Sequence, residues 1–192
     1  DHLSLYALSL ETDTPMWRTI KGNHLPDIDA DLVADQYELA EDLLSSQGYY
    51  HYEISNWAKE ERECHHNITY WKNLPYLGLG VGAHSYLGGH RLANTQSIDK
   101  YLAAFSGNLQ LVPDMDEEIS PELQLAETVI LGLRLCDGIG VDNIRSRFGT
   151  DLLEHYRQEV EDLVGWGLLE YADDQHIKLT RRGRLLRNEV FW

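Results

Sequence analysis

The sequence predicts an α/β protein, part of a parallel (βα) barrel followed by a small α+β domain. Two observations carry this expectation. Residues 1–57 read as strand, loop, helix and strand, the repeating unit of a parallel barrel or open sheet, and beyond Pro113 the pattern changes to helical runs closed by a hairpin. The 192 residues, 43% hydrophobic and 25% charged, suffice for one large or two small domains. The expected domains are 1–112 and 113–192.

Leu3–Leu10 alternates and is rich in aliphatic side chains, as a buried strand should be. Thr12–Pro26 reads as a loop, with Thr14-Pro15 and Gly22-Asn23 as turn signals. Across Asp29–Gln47, residues Leu32, Val33, Tyr37, Leu39, Ala40, Leu43 and Leu44 recur at helical spacing; Asp29 or Asp31 can cap this helix and Gly48 can end it. Tyr49–Trp57, rich in aromatic and β-branched residues, reads as a second strand. Lys59–Glu63 is a polar, exposed approach to the next element. Tyr76–Tyr86 reads as a glycine-rich strand, Ile98–Phe105 as a short helix, and 109–113 as a link between domains.

Pro121 opens a helix that is expected to turn Leu123, Leu125, Ala126, Val129, Ile130, Leu133 and Leu135 inward and to end at Asp137-Gly138. A second helix covers Asp142–Phe148 and stops at Gly149, and a third covers Leu152–Val164. Leu168–Tyr171 and His176–Leu179, joined at Asp173-Asp174, make a hairpin, and Thr180 caps a last short helix. Three helices and a hairpin are the parts of a winged-helix-like domain.

Charge narrows the partners. The net charge is −16, and residues 1–120 alone hold 19 acidic against 7 basic side chains, so a polyanionic backbone is repelled. Arg181, Arg182, Arg184 and Arg187 follow the expected wing rather than lining a recognition helix, which also argues against DNA. Anionic membranes are disfavoured as a broad docking surface, leaving peripheral association only through a local basic patch. No run of about eighteen apolar residues suggests a membrane span. Two cysteines without framework spacing point to free thiols in a reducing compartment, and the cytoplasm is the default.

The most informative run is His66-Asn67-Ile68-Thr69-Tyr70-Trp71. It places a candidate iron ligand beside two flat aromatic rings. If the segment is helical, Tyr70 shares a face with His66 and Trp71 lies close by. From the residues alone two readings stay open, a packed and hydrogen-bonded imidazole or an axial ligand to a planar macrocycle. Asn67 reads as a turn residue. Gly78, Gly80 and Gly82 alternate, which strips one strand face of side chains so that a ligand or another backbone can approach. They do not form a dinucleotide fingerprint, because the third glycine follows too soon and no helix start succeeds it.

Upstream lies Tyr52-Glu53-Ile54-Ser55-Asn56-Trp57-Ala58, downstream Gly78-Leu79-Gly80-Val81-Gly82-Ala83-His84-Ser85, then Arg91-Leu92-Ala93-Asn94 and Tyr101. In that order the stretch resembles the HemW family of haem chaperones, relatives of the oxygen-independent coproporphyrinogen III oxidases among the radical S-adenosylmethionine (SAM) proteins. The likeness extends from Asp1-His2-Leu3-Ser4-Leu5-Tyr6, Glu11 and Thr14-Pro15 to Leu131-Gly132-Leu133-Arg134-Leu135, Phe148-Gly149, Gly167-Leu168-Leu169 and Leu179-Thr180-x-x-Gly183. It implies a radical SAM type of barrel, a HemN-type carboxy-terminal domain, and haem as cargo for an acceptor protein. His66 is the metal ligand it implies, with Tyr70 and Trp71 beside the macrocycle, and Ser9, Gly78, Gly80, Gly82 and His84 become SAM-side positions. The runner-up is a coproporphyrinogen III oxidase, which the His-Asn-x-x-Tyr-Trp run counts against.

The family's Cys-x-x-x-Cys-x-x-Cys motif, which holds a [4Fe-4S] cluster, is absent; the only cysteines are Cys64 and Cys136. The chain also starts without Met, so a carboxy-terminal portion of a longer parent is expected, carrying no radical chemistry of its own. A cut parallel sheet exposes an edge, and self-association through it is expected. A zinc site from Cys64, His65, His66, His84 and His90 is a weaker alternative, since successive residues cannot all face one ion. Glu11 and Glu53 lack a nucleophile triad; Glu53 is expected to orient Asn56 or an arginine such as Arg91.

Overall fold

The computed structural model describes residues 1–106, 113–173 and 175–191. They form two compact units, Asp1–Glu63 and Cys64–Trp192. The division falls ahead of the 112/113 boundary expected from the sequence, because the helix that follows Glu63 packs on a helix that lies beyond residue 113. Most of the expected link at 109–113 lies outside the described residues.

In the first unit β1 (His2–Ser4) and β3 (Asn56–Ala58) pair antiparallel, and β2 (Tyr50–Glu53) pairs antiparallel with the other edge of β3. Helices α1 (Pro15–Lys21) and α2 (Ala30–Ser46) lie between β1 and β2 in sequence. The cap of α2 is Asp29, whose side chain accepts from the Asp31 and Leu32 amides, and Gly48 stops the chain with φ of 72°.

Four expectations are corrected in this unit. The Leu3–Leu10 strand shortens to His2–Ser4: the Leu5 amide still bonds to the Ser55 carbonyl at 2.9 Å, but beyond it Tyr6 and Leu8 are exposed. The Tyr49–Trp57 strand is a hairpin, broken at Ile54-Ser55, where a Glu53 carboxylate oxygen accepts from the Ser55 amide. Consequently the described strands of the unit pair antiparallel rather than parallel. The Thr12–Pro26 loop also contains α1, capped by Thr14 and opened by Pro15.

The second unit opens with α3 (His65–Trp71), followed by β4 (His84–Leu87), β5 (His90–Ala93), α4 (Ile98–Phe105) and β6 (Met115–Glu118). These strands form an antiparallel sheet in the order β4-β5-β6. Then come α5 (Pro121–Gly132), β7 (Ile139–Gly140), α6 (Val141–Phe148), α7 (Leu152–His155), α8 (Arg157–Gly165), β8 (Leu169–Asp173), β9 (His176–Leu179), α9 (Arg181–Leu185) and α10 (Arg187–Val190). The last sheet has the order β7-β9-β8, so the expected hairpin gains a third strand. The third expected helix is split at Tyr156, whose φ of −110° and ψ of 34° leave the helical region.

The core of this unit gathers Leu125, Leu133, Ile144, Leu152, Val160, Leu168, Leu169, Ile177 and Leu179. Leu123 and Ile130, expected inward, are exposed on α5 instead, because the buried stripe runs through Leu125, Thr128 and Gly132. Close packing against the Ile139 side chain explains why that stripe ends in glycine: a Cβ on Gly132 would meet it at 3.0 Å. The turn residue Asp174 lies outside the described residues.

Candidate functional site

The His-Asn-x-x-Tyr-Trp run is helical: it lies in α3, with Asn67 inside the helix rather than at a turn. Its carboxyl end is anchored firmly. Arg147 donates to the Lys72 carbonyl at 2.9 Å and to the Asn73 carbonyl at 2.5 Å, supplying two donors where helix carbonyls lack partners. Asn73, buried with φ of 47°, donates from its amide to the Thr128 hydroxyl at 3.0 Å, which ties α3 to α5. Trp71 lies beneath the Arg134 guanidinium, 4.3 Å from its ring centre, a cation–π contact with the same helix–helix joint.

At the opposite end His66 is exposed. Its ring meets Tyr70 edge-on at 4.7 Å, and Tyr70 meets Tyr76 edge-on at 4.6 Å, so three rings form a ladder rising from the buried side to an open imidazole. Tyr76 is fixed by two backbone bonds to Tyr86, each 2.9 Å. Burial pushes the Tyr76 phenol up, Tyr70 adds to the rise, Arg91 opposes it and Glu127 supports it. Arg91 is clamped by both Glu127 oxygens at 2.8 Å and has Glu117 at 3.8 Å. That clamp raises the guanidinium above its ordinary range.

After Tyr76 the chain is not the expected glycine-rich strand. Gly80 and Gly82 have φ of 107° and 66°, values that a strand does not contain, so 77–83 is a loop and β4 begins at His84. The loop is held by its backbone. Asn94 donates to the Gly78 and Gly80 carbonyls at 3.3 and 2.8 Å, the Gly80 amide donates to the Tyr101 hydroxyl at 3.0 Å, and the Gly78 amide donates to the Ser85 hydroxyl at 2.9 Å. A Cβ on Gly78 would stand 2.1 Å from the His84 carbonyl oxygen, so this glycine serves close approach of backbone to backbone. Gly80 has open space around its Cβ position, and Leu79 between them is 81% exposed. The loop therefore offers an apolar tip on a rigid base.

His66, Tyr70, Trp71, Gly78, Gly80, Gly82 and His84 thus all lie in the second unit, with His66 and Tyr70 in one ring ladder and Trp71 in the joint with α5. His84 is exposed at the start of β4, and its backbone packs closely against Gly78. Ser9 lies in the first unit, exposed in the segment after β1. Glu53, fully buried, does orient Asn56, whose side-chain amide donates to it; its second oxygen is buried without a partner. Arg91 instead takes Glu127. Among the described residues no group of three or more His, Cys, Asp or Glu is placed to hold a metal, and His90 is taken by Asp116 at 2.7 Å. Arg147 is not singled out by the sequence, which marks Tyr76 only as the start of a strand and Arg134 only within a run that carries the family likeness. Asn94 and Tyr101 stood in the quoted runs, and their hydrogen bonds to the loop now give them a role.

Residues 119–186 match the HemN C-terminal domain family. The chain is 36% identical over 190 residues to the haem chaperone HemW of Lactococcus lactis subsp. lactis (strain IL1403), covering 99% of this chain and 49% of that protein. With the haem chaperone HemW of Bacillus subtilis (strain 168) it shares 34% over 193 residues, 100% of this chain and 50% of the other. This chain belongs to the HemW family. It spans about half the length of the curated relatives it matches. Among solved structures, coproporphyrinogen III oxidase (HemN) from Escherichia coli, described as a radical SAM enzyme, shares the fold. Its TM-score is 0.70 at 19% identity, over 100% of this chain and 47% of that one. The mixed α/β architecture agrees with that neighbour.

Proposed function

We propose that the chain is part of a haem chaperone that carries haem at His66 and releases it to an acceptor protein. One observation carries this reading: His66 is an exposed imidazole whose ring is oriented by Tyr70 and, through it, by Tyr76, on a helix anchored at its far end by Arg147 and Asn73. Such a group supplies one axial nitrogen to iron. An exposed ligand suits a carrier, because haem held by a single axial bond on a surface leaves with little reorganisation. Leu77 and Leu79, exposed on the loop after Tyr76, add apolar surface of the kind a porphyrin face prefers. Trp71, packed under Arg134, supports the helix rather than the macrocycle.

The family resemblance assigns SAM and a [4Fe-4S] cluster to the parent protein, with Ser9, Gly78, Gly80, Gly82 and His84 on the SAM side. Two cysteines do not supply the three thiolates of such a cluster. The cytoplasm suits two cysteines that form no disulfide; among the described residues no helix is long and apolar enough to cross a membrane. The order α5, β7, α6, α7–α8, β8, β9, with β9 between β7 and β8, supports a winged-helix-like reading of the carboxy-terminal part. Coproporphyrinogen III oxidase is favoured by likeness of fold alone.

Haem titration tests the proposal. The parent protein is expected to develop a Soret band characteristic of histidine-ligated haem, and His66→Ala is expected to shift that band and weaken binding. Identical spectra and affinities for the two proteins would remove His66 as the ligand.

A further inference from the structure

We infer that the carboxy-terminal part of the second unit carries a peptide-docking groove, between α5 and α8, that takes a cationic amphipathic segment of a partner protein. A cavity of about 420 Å³ opens there, within the usual range of about 300–1,000 Å³ for ligand pockets. Ala126 and Ile130 line one wall, Tyr156 and Trp166 the other, and Glu159 and Asp162 stand among the lining groups. None of the lining residues belongs to α3 or to the glycine loop, so this is a second site.

The shape fits a helix or short extended segment. Leu123, Ala126 and Ile130 form a stripe along α5 at i, i+3 and i+7, with Leu123 44% and Ile130 38% exposed. That stripe runs roughly 10 Å, close to two helical turns. Opposite it Trp166 is 60% exposed, an uncommon state for an indole unless a partner covers it. An apolar floor with exposed large side chains along both walls is the arrangement that receives i, i+3, i+4 and i+7 anchors of an amphipathic partner.

Charge selects the occupant. Among the described residues, the cavity lining contains two carboxylates and no basic side chain. The Arg182 guanidinium near the wall is directed to the Trp166 carbonyl at 3.0 Å. The Tyr156 phenol is pushed up by burial and then by Glu159 and Glu122, so the groove resists an added negative charge. A chain of net charge −16 repels a second copy of itself and anionic lipid alike, and attracts a lysine- or arginine-flanked segment.

The test uses the whole chain and fluorescein-labelled helical peptides read by anisotropy. One peptide carries leucines at helical spacing flanked by lysines, a second has glutamates for the lysines, and a third keeps the lysines but has serines for the leucines. The first is expected to bind at least about tenfold more tightly than either control. Trp166→Ala and the double variant Glu159→Lys/Asp162→Lys are each expected to weaken it by about tenfold or more, while Glu60→Lys/Glu61→Lys in the other unit leaves it unchanged. Circular dichroism confirms that each variant is folded, and Ile130→Ser serves as a second wall variant should Trp166→Ala unfold. Equal binding of the three peptides, binding indifferent to both groove variants, or no binding would overturn the inference. So would concentration-dependent self-association abolished by Trp166→Ala, which would make a second copy the occupant.

Discussion

Gly78 and Gly165 show how differently one residue type is constrained. At Gly78 a Cβ would collide with the His84 backbone, which cannot move without breaking β4, whereas Gly165 at the end of α8 has open space around it. Gly78→Ala is therefore expected to cost more than about 3 kcal/mol, and Gly165→Ala to be neutral or to stabilise by roughly 0.4–1 kcal/mol, both read by urea unfolding. Tyr70 is expected to act through its ring, since its contacts to His66 and Tyr76 are both edge-on. Tyr70→Phe should leave the haem spectrum intact, while Tyr70→Ala should weaken haem binding and broaden its Soret band. The spacing of His66 and Tyr70 was legible because four residues bring side chains together on any helix. Tyr76 was not, since it meets the ladder only through the turn after α3 and its pairing with Tyr86.

Side-chain caps open several of the described helices, and two of them, Asp29 and Thr180, were readable from the sequence. Asp29, Ser97, Ser120 and Thr180 all cap the helices that follow them. Thr180 does more: its hydroxyl accepts from the Gly183 amide at 2.9 Å and donates to the Gly167 carbonyl at 2.7 Å, joining α9 to the turn before β8. Thr180→Ala is expected to cost about 1–2 kcal/mol, and Thr180→Ser substantially less. Asp151 caps α7 and also receives Arg145; the Arg145 hydrogen bond, then the Glu154 amide, hold its carboxyl below the ordinary range. A depressed carboxyl contributes stability above its unfolded value near 3.9 and loses it as pH falls through the lower folded value. Acid unfolding of Asp151→Asn should accordingly show a shallower decline below about pH 4 than the parent. The hairpin of β2 and β3 reads as one strand because aromatic residues run through both halves; the break comes from Glu53 turning back onto the Ser55 amide and the Asn56 side chain.

At the scale of the molecule, self-repulsion of a −16 chain opposes compaction, so raising salt to about 0.5 M is expected to raise the unfolding midpoint. Arginine on the Glu127 clamp limits that repulsion locally, and Arg91→Ala should destabilise by about 1 kcal/mol, with most of the loss absent in a Glu127→Ala background. The positions of α2, α4, α5 and α6, the Asp29 and Thr180 caps, the change of pattern after Pro113 and the family itself were determined by the sequence, because each depends on local periodicity, end chemistry or a contiguous run of residues. Strand direction, the curl of the glycine loop and the open face of His66 were decided only by tertiary structure. A strand's partner, the φ of Gly80 and Gly82, and the anchoring of α3 by Arg147 each depend on residues distant in the chain, which no local pattern encodes.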